Sequence, residues 1–364
     1  MDNALNLQDL KSRAWEMLPA MAWEYLDSAA GDEWSKRWNE SAFDEIKLWP
    51  RVLRDVSKLD IQTHLFGETL AHPVLLAPVA YHKLFHPVGE RETARGAMVA
   101  NAIYCVSTMT NTSIEAIARD CPDTKLWYQL YVQRDRGYTR SLIERVQAAG
   151  VRALVVTVDT PVLGNRVRET RAGFHLPEGL TRAMLEGLPP ELQISGHAMD
   201  QTDIYYPLCD PKLAWQDIEW ICATAQAPVV LKGILHPADA ERAIQSGAAG
   251  IIVSNHGGRN LDTVPPTLEV LPAIVKQIDR RMPVLLDGGI RRGTDILKAL
   301  ALGAQAVLIG RPYVWGLAVG GSMGVMRSVD LLLKEFRIAM ALSGCATLGE
   351  ISSEVLYPGS AGQY

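Results

Sequence analysis

The stretch Ser254-Asn255-His256-Gly257-Gly258-Arg259 brings an imidazole and a guanidinium within three residues of each other, directly after the apolar run 250–253. Histidine exchanges protons near neutral pH, and arginine can hold a carboxylate through two parallel N–H bonds. At the end of a buried strand the two emerge together as a base and an anion clamp. Gly257 and Gly258 permit the backbone to pass close to a bound ring. The plainer alternative is a Gly-Gly turn beside a capped core histidine.

The elements that must position these groups can be read from hydrophobic patterning. Eight short apolar runs recur along the chain: 73–77, 103–107, 126–131, 153–159, 229–232, 251–255, 284–287 and 307–310. Amphipathic stretches such as 91–101, 138–149, 237–246 and 294–302 lie between them, several ending at Ala-Gly or Gly-Ala. That alternation predicts an α/β fold with a parallel sheet and crossover helices. Eight units favour a (β/α)8 TIM barrel over an open doubly wound sheet. The whole of 1–364 reads as a single domain. Residues 1–72 form a lead-in with one or two helices over 7–30, and 73–320 form the barrel. A long lid insertion after the fourth strand, 176–211, belongs to the barrel region, and 321–364 carry a C-terminal helix (323–341) and tail.

In such barrels the active site collects at the carboxyl ends of the strands. The predicted ends carry Pro78, Val79 and Ala80, then Ser107, Gln129 with Tyr131, Thr157 with Asp159, Lys232, and Ser254 with His256 and Arg259. Taken singly, the Ser and Thr could cap helices, Lys232 could reach the rim, and Asp159 could open the turn at Thr160-Pro161. The last two strands run into Asp287-Gly288-Gly289-Ile290-Arg291 and Gly310-Arg311-Pro312. Each supplies glycine and an arginine at a helix start, a phosphate cradle where barrels commonly place one. A buried lysine, a histidine base, a carboxylate clamp and a phosphate site together imply a phosphate-tailed ring cofactor beside a small acid.

These motifs, with Ala77-Pro78, Gln129-Leu130-Tyr131, Thr157-Val158-Asp159-Thr160-Pro161, Lys232-Gly233 and Asp287 to Gly293, resemble the FMN-dependent 2-hydroxy acid oxidase and dehydrogenase family. The likeness runs from about 18 to 316 and is weakest in the insertion. It implies an FMN enzyme oxidising an (S)-2-hydroxy acid to the 2-oxo acid, with His256 as base and Asp159 as its partner. Arg259 and Arg166 would bind the substrate carboxylate, Tyr25 and Tyr131 would supply hydroxyls, and Lys232 would stabilise negative charge on the reduced ring. Ser107, Gln129, Thr157 and Ser254 would hold the isoalloxazine or ribityl chain, and Val79 and Ala80 the N5 side. Asp287, Gly289, Arg291, Gly310 and Arg311 would carry the ribityl and phosphate.

Met109 stands where the plant glycolate oxidase branch has tryptophan, and Tyr206 in the insertion could pack on a substrate side chain. Tyr81-His82-Lys83-Leu84-Phe85-His86-Pro87 is similar to the hydroxymandelate-oxidising branch, whereas Gly164-Asn165-Arg166 is similar to lactate oxidases, so the substrate stays open between the two. Oxygen is the expected acceptor, giving hydrogen peroxide. A quinone-linked dehydrogenase, a lactate 2-monooxygenase and, outside the family, a phosphate-binding barrel isomerase are the alternatives. The family implies a homotetramer.

The 364 residues carry a net charge of −5, with 21% charged and 48% hydrophobic residues. That balance fits a globular enzyme and argues against a nucleic-acid partner bound by counterion release. No uninterrupted apolar run of about 18 residues or secretory leader pattern is visible, and Gly362-Gln363-Tyr364 is not a peroxisomal tripeptide, so a cytoplasmic enzyme without a membrane partner is expected. The five cysteines, Cys105, Cys121, Cys209, Cys222 and Cys345, have no C-x-x-C pairing and read as reduced thiols rather than a metal site.

Overall fold

The computed structural model describes residues 3–188, 204–205, 208 and 210–359. The lead-in holds three helices, α1 (Leu7–Met17), α2 (Ala20–Asp27) and α3 (Trp34–Glu45), followed by the antiparallel strands β1 (Thr63–Leu65) and β2 (Glu68–Leu70). Eight parallel strands then close a barrel: β3 (Val74–Leu76), β4 (Tyr104–Ser107), β5 (Leu126–Leu130), β6 (Leu154–Thr157), β7 (Val229–Ile234), β8 (Gly250–Val253), β9 (Val284–Asp287) and β10 (Ala306–Ile309). β10 pairs with β3 to complete the circle. Every predicted apolar run overlaps one strand, so the α/β barrel expectation holds.

The period of two along each strand explains how the barrel carries both a core and a site. Leu75, Cys105, Trp127, Val155, Val230, Ile252 and Leu285 form one buried cluster inside the barrel. Two residues further along the same faces come Ala77, Ser107, Gln129, Thr157, Lys232, Ser254 and Asp287. The inner faces therefore become polar only in their last layer. Leu65, Phe66 and Leu70 from the β1–β2 hairpin join the interior cluster, and the Phe66 and Trp127 rings lie 5.7 Å apart. With that end filled by apolar side chains, ligand space is confined to the other.

The crossover helices include α4 (Glu90–Val99), α5 (Ile114–Asp120), α6 (Arg136–Ala148), the short α7 (Val167–Arg171), α8 (Trp215–Thr224), α9 (Pro237–Gln245), α10 (Thr267–Ile278) and α11 (Gly293–Ala301). The expected C-terminal helix at 323–341 is instead the second part of α12 (Arg311–Ser343), which begins directly after β10. Gly320 and Gly321 break the helical dihedrals inside α12, the latter at φ +56°, which explains why sequence periodicity marked only its latter part. α12 is long and apolar enough to cross a membrane by length and composition. More than half of its most apolar stretch is buried, and it packs against α1, α4 and α11 as a core helix does.

α3, unmarked in the sequence reading, ties the lead-in to the barrel mouth. The carboxamides of Asn39 and Asn255 exchange hydrogen bonds of 2.8 and 2.9 Å, and Thr267 N–H donates to Asn39 Oδ1 at 3.2 Å. Buried and reciprocally satisfied, this pair fixes the start of the His256 turn. Gly258 faces the same helix. A β-carbon there would lie 2.7 Å from the Lys36 backbone nitrogen, so this glycine makes room for α3 rather than for a ring.

Candidate active site

A cavity of about 890 Å³ opens over the carboxyl ends of the barrel strands. Of the residues singled out from sequence, Tyr25, Pro78, Val79, Ala80, Ser107, Met109, Gln129, Tyr131, Thr157, Arg166, Lys232, His256, Arg259, Asp287, Gly288, Gly289, Arg291, Gly310 and Arg311 all line it. Asp159 stands behind His256. Ser254 is fully buried and does not line the cavity, accepting from Lys232 Nζ at 2.9 Å and from His256 N–H at 3.1 Å. These bonds position the lysine and the histidine. Tyr206 lies outside the described residues, as does half of the insertion.

His256 sits just beyond β8 with φ +58°, a left-handed conformation uncommon for a residue with a β-carbon. Such strain persists where surrounding bonds over-determine it, and functional sites are where it gathers. Here Nδ1 lies 2.9 Å from Asp159 Oδ1, while Nε2 faces the Tyr131 hydroxyl at 3.4 Å. With Nδ1–H donating to the Asp159 carboxylate, Nε2 presents its lone pair to the cavity. Asn260 holds the Asp159 side of the pair by donating to Asp159 O at 2.7 Å and Thr160 Oγ1 at 2.8 Å. Gly233, at φ +112° where the β7 register shifts, lets Asp159 come close; a β-carbon there would lie 2.6 Å from Asp159 Cβ and Cγ.

Burial drives the imidazole of His256 below its ordinary value; Asp159 opposes that effect and the Lys232 charge adds to it. Asp159 is itself held below the usual carboxylate range: burial works against this and is outweighed by His256 and Lys232. The imidazole is therefore neutral at neutral pH and able to accept a proton. A pH dependence follows. The kcat/KM of the enzyme is expected to fall on acidification with a midpoint below the ordinary imidazole value of about 6.5. Asp159→Asn, which removes the charge that raises the His256 pKa, should move that limb further toward acid. An acid limb centred above the ordinary imidazole value, or one shifted toward alkali by the substitution, would contradict the pairing.

Lys232 Nζ is buried and pairs with Asp287 Oδ2 at 3.2 Å. Burial lowers its proton affinity, and Asp287 and Asp159 overcome this so that it stays charged. Two buried polar atoms of cavity-lining residues have no protein partner: Gln129 Nε2, a donor, and Asp287 Oδ1, an acceptor. Buried polar groups are normally paired. One orphan donor, one orphan acceptor and a charged lysine fit a heteroaromatic ring with carbonyl oxygens and a hydroxylated chain, as FMN presents.

The arginines behave less uniformly than the sequence reading supposed. Arg311 spends its side chain on backbone carbonyls, those of Leu26, Gly257 and Ser28 at 2.9–3.1 Å. Burial and the nearby Arg259 and Arg291 charges push its pKa down to about 10. Arg291 Nη2 donates to Glu40 at 2.8 Å, and its guanidinium lies 5.2 Å from the Trp315 ring. Arg259 Nη1 donates to the Tyr25 and Ser28 carbonyls, both at 2.8 Å, and Nη2 donates to Glu169 at 3.1 Å. Glu169, one turn from Arg166 on α7 and 3.7 Å from it, was missed in the sequence. Its i,i+3 spacing from Arg166 was the only local signal. Tyr25 stacks on Phe174 with centroids 4.4 Å apart and lies under Arg259 at 5.2 Å, closing one wall.

Comparison with known proteins places this geometry. The model of the FMN-dependent dehydrogenase family matches residues 14–358. The chain belongs to this family. A 2-hydroxyacid oxidase of Dictyostelium discoideum is 42% identical over 357 residues, covering 98% of this chain and 91% of that protein. An L-lactate oxidase of Nostoc sp. is 45% identical over 368 residues, covering 98% and 99%. A crystal structure of mandelate oxidase with (S)-2-phenylpropionate superposes with a TM-score of 0.88 at 40% identity, covering 98% of both chains. The protein is thus an FMN-dependent oxidoreductase.

Proposed function

We propose that the protein oxidises an (S)-2-hydroxy acid with a side chain larger than that of glycolate to the 2-oxo acid, with oxygen taking the electrons and leaving as hydrogen peroxide. The observation that carries this reading is the convergence on one cavity of His256 Nε2, backed by Asp159, and the Arg259–Arg166 pair. A base and a carboxylate clamp so placed suit a substrate whose reacting carbon adjoins its carboxylate. That relatives carry the names 2-hydroxyacid oxidase and L-lactate oxidase supports the same substrate class and oxidase chemistry.

In this account Arg259, anchored through Nη1 to two carbonyls, is held in a fixed plane and turns its remaining donors to the carboxylate together with Arg166. The Tyr131 hydroxyl, beside His256 Nε2, orients the substrate oxygen. His256 removes a proton from the substrate, and the Asp159 carboxylate stabilises the imidazolium that results. FMN, when bound, would accept the two electrons and the second proton that leave the substrate. Lys232 holds a positive charge at the barrel end, preorganised to stabilise negative charge that develops there.

Met109, on the loop after β4, lines the cavity while being 8% exposed. Its unbranched side chain can yield space where tryptophan would stand as a wall. Measured kcat/KM is expected to rise from glycolate to lactate, longer alkyl acids or mandelate, graded by about 1 to 3 kcal/mol per group rather than all-or-none. Met109→Trp should reverse that order. A native enzyme preferring glycolate over all of these acids would refute the side-chain reading.

A further inference from the structure

The two arginines of the clamp are joined by one carboxylate. Glu169 Oε2 accepts from Arg259 Nη2 at 3.1 Å and lies 3.7 Å from Arg166 Nη1. Among the described residues the Glu169 carboxylate has no other hydrogen bond or ion pair. All three residues line the cavity, with side chains only 13–14% exposed. The surrounding fold holds the trio from behind. Arg166 Nε donates to the Arg259 carbonyl at 3.2 Å, and Gly31 N–H donates to Asn165 O at 2.9 Å. Arg168, next to Glu169 on α7, reaches Glu24 at 2.7 Å, Glu33 at 3.1 Å and Asp27 at 3.3 Å. A helix of five residues is not stable by itself, so these ion pairs with the lead-in are what fix the place of α7.

Two guanidiniums packed beside one carboxylate repel each other, and burial strengthens that repulsion. Burial and the Arg166 charge both pull the Arg259 pKa below its ordinary value, and Glu169 opposes them. With Glu169 ionised the trio carries a single net positive charge, matched to a single incoming carboxylate. Without it the pair would carry a double charge. The 2-hydroxy acid and the 2-oxo acid share the same carboxylate, so added attraction would bind substrate and product alike and delay release without speeding the reaction. Glu169 also fixes direction. Together with the Tyr25 and Ser28 carbonyls it engages Arg259 from the protein side, and the donors left over on that guanidinium are the ones a ligand can use.

We propose that Glu169 is a positioning residue that holds the guanidiniums of Arg166 and Arg259 in one fixed clamp and offsets one of their charges, so that the clamp aligns a carboxylate without trapping it. This inference rests on the cavity being a 2-hydroxy acid site. Glu169 acts through the arginines, and its removal should therefore change binding and rate in opposite senses.

The test pairs calorimetric binding of oxalate, an unreactive carboxylate, with anaerobic flavin reduction by the 2-hydroxy acid that reduces the native enzyme fastest, using the FMN-loaded full-length protein. Glu169→Gln keeps the shape of the side chain and removes its charge. It is expected to bind oxalate about tenfold more tightly, with a steeper loss of affinity as salt rises, because an uncompensated positive charge then lies beside the ligand. Flavin reduction at saturating substrate should slow by about tenfold or more, the effect of a carboxylate held out of alignment. Loss of folding would weaken both, so this split is specific to the proposed role. Glu169→Asp, with the charge kept and the reach shortened, should bind oxalate with native affinity and recover part of the rate. Unchanged or weaker oxalate binding in Glu169→Gln, or a native reduction rate in that variant, would overturn the role of Glu169 alone. Tighter oxalate binding in Glu169→Asp would overturn it even if Glu169→Gln failed to retain flavin. Failure of every 2-hydroxy acid to reduce the native flavin would instead overturn the proposed function, and this inference with it.

Discussion

Replacing His256 with alanine is expected to leave the purified protein yellow while slowing flavin reduction by a 2-hydroxy acid about 10²- to 10⁴-fold, the usual contribution of a positioned general base. The expectation rests on three bonds made by one residue. Asp159 holds Nδ1 at 2.9 Å, Tyr131 faces Nε2 at 3.4 Å, and Ser254 accepts the backbone N–H at 3.1 Å. Only the first two are lost with the imidazole, so the turn that carries residue 256 should persist and the orphaned Gln129 and Asp287 atoms should still meet the cofactor. Alanine must also occupy φ +58°, and a modest loss of thermal stability is the accompanying signature. Flavin reduction within a few-fold of native in this variant would remove His256 from the role of base.

Arg259→Lys is expected to be nearly as damaging, lowering kcat/KM by about 10- to 100-fold or more. Charge-assisted hydrogen bonds contribute about 1.5–3 kcal/mol each, and about 1.4 kcal/mol is a factor of ten. The native guanidinium donates at once to Tyr25 O, Ser28 O and Glu169, and these contacts set its plane. An ammonium is a point charge with three rotatable donors and cannot satisfy those groups while presenting a two-pronged edge to a carboxylate. It would also leave one of the two carbonyls or Glu169 short of a partner. Steady-state and single-turnover kinetics should show weaker substrate binding together with slower reduction, because the clamp both holds and aligns the acid. A lysine variant with native KM and kcat would contradict the clamp.

The barrel and the polar layer at its mouth were legible because period-two alternation acts on whole runs: the same inner faces that carry Leu75, Trp127 and Val230 carry Gln129 and Lys232 one step later. His256 and Arg259 were legible because they follow β8 within one turn. The partners were not. Glu40, the Tyr25 and Ser28 carbonyls and Asn39 approach the site from the lead-in, more than 200 residues away along the chain, and no local pattern announces such pairing. Short apolar runs also hid the β1–β2 hairpin, whose strands are three residues each. Glu169 escaped notice because it lies in a five-residue helix, where periodicity carries no information. The bonds that Ser254 makes to Lys232 and His256 were equally illegible, because sequence order does not show which neighbours a buried strand-end side chain meets.

The most direct test of the central claim is an anaerobic titration of the yellow native enzyme with (S)-lactate, (S)-mandelate and longer (S)-2-hydroxy acids, followed by admission of air. At least one of these acids should bleach the flavin absorbance with one equivalent of 2-oxo acid formed per flavin. Air should then restore the colour rapidly with one equivalent of hydrogen peroxide. Flavin that stays oxidised with every acid would contradict 2-hydroxy acid oxidation, and reduced flavin that persists in air for minutes would contradict oxygen as the acceptor.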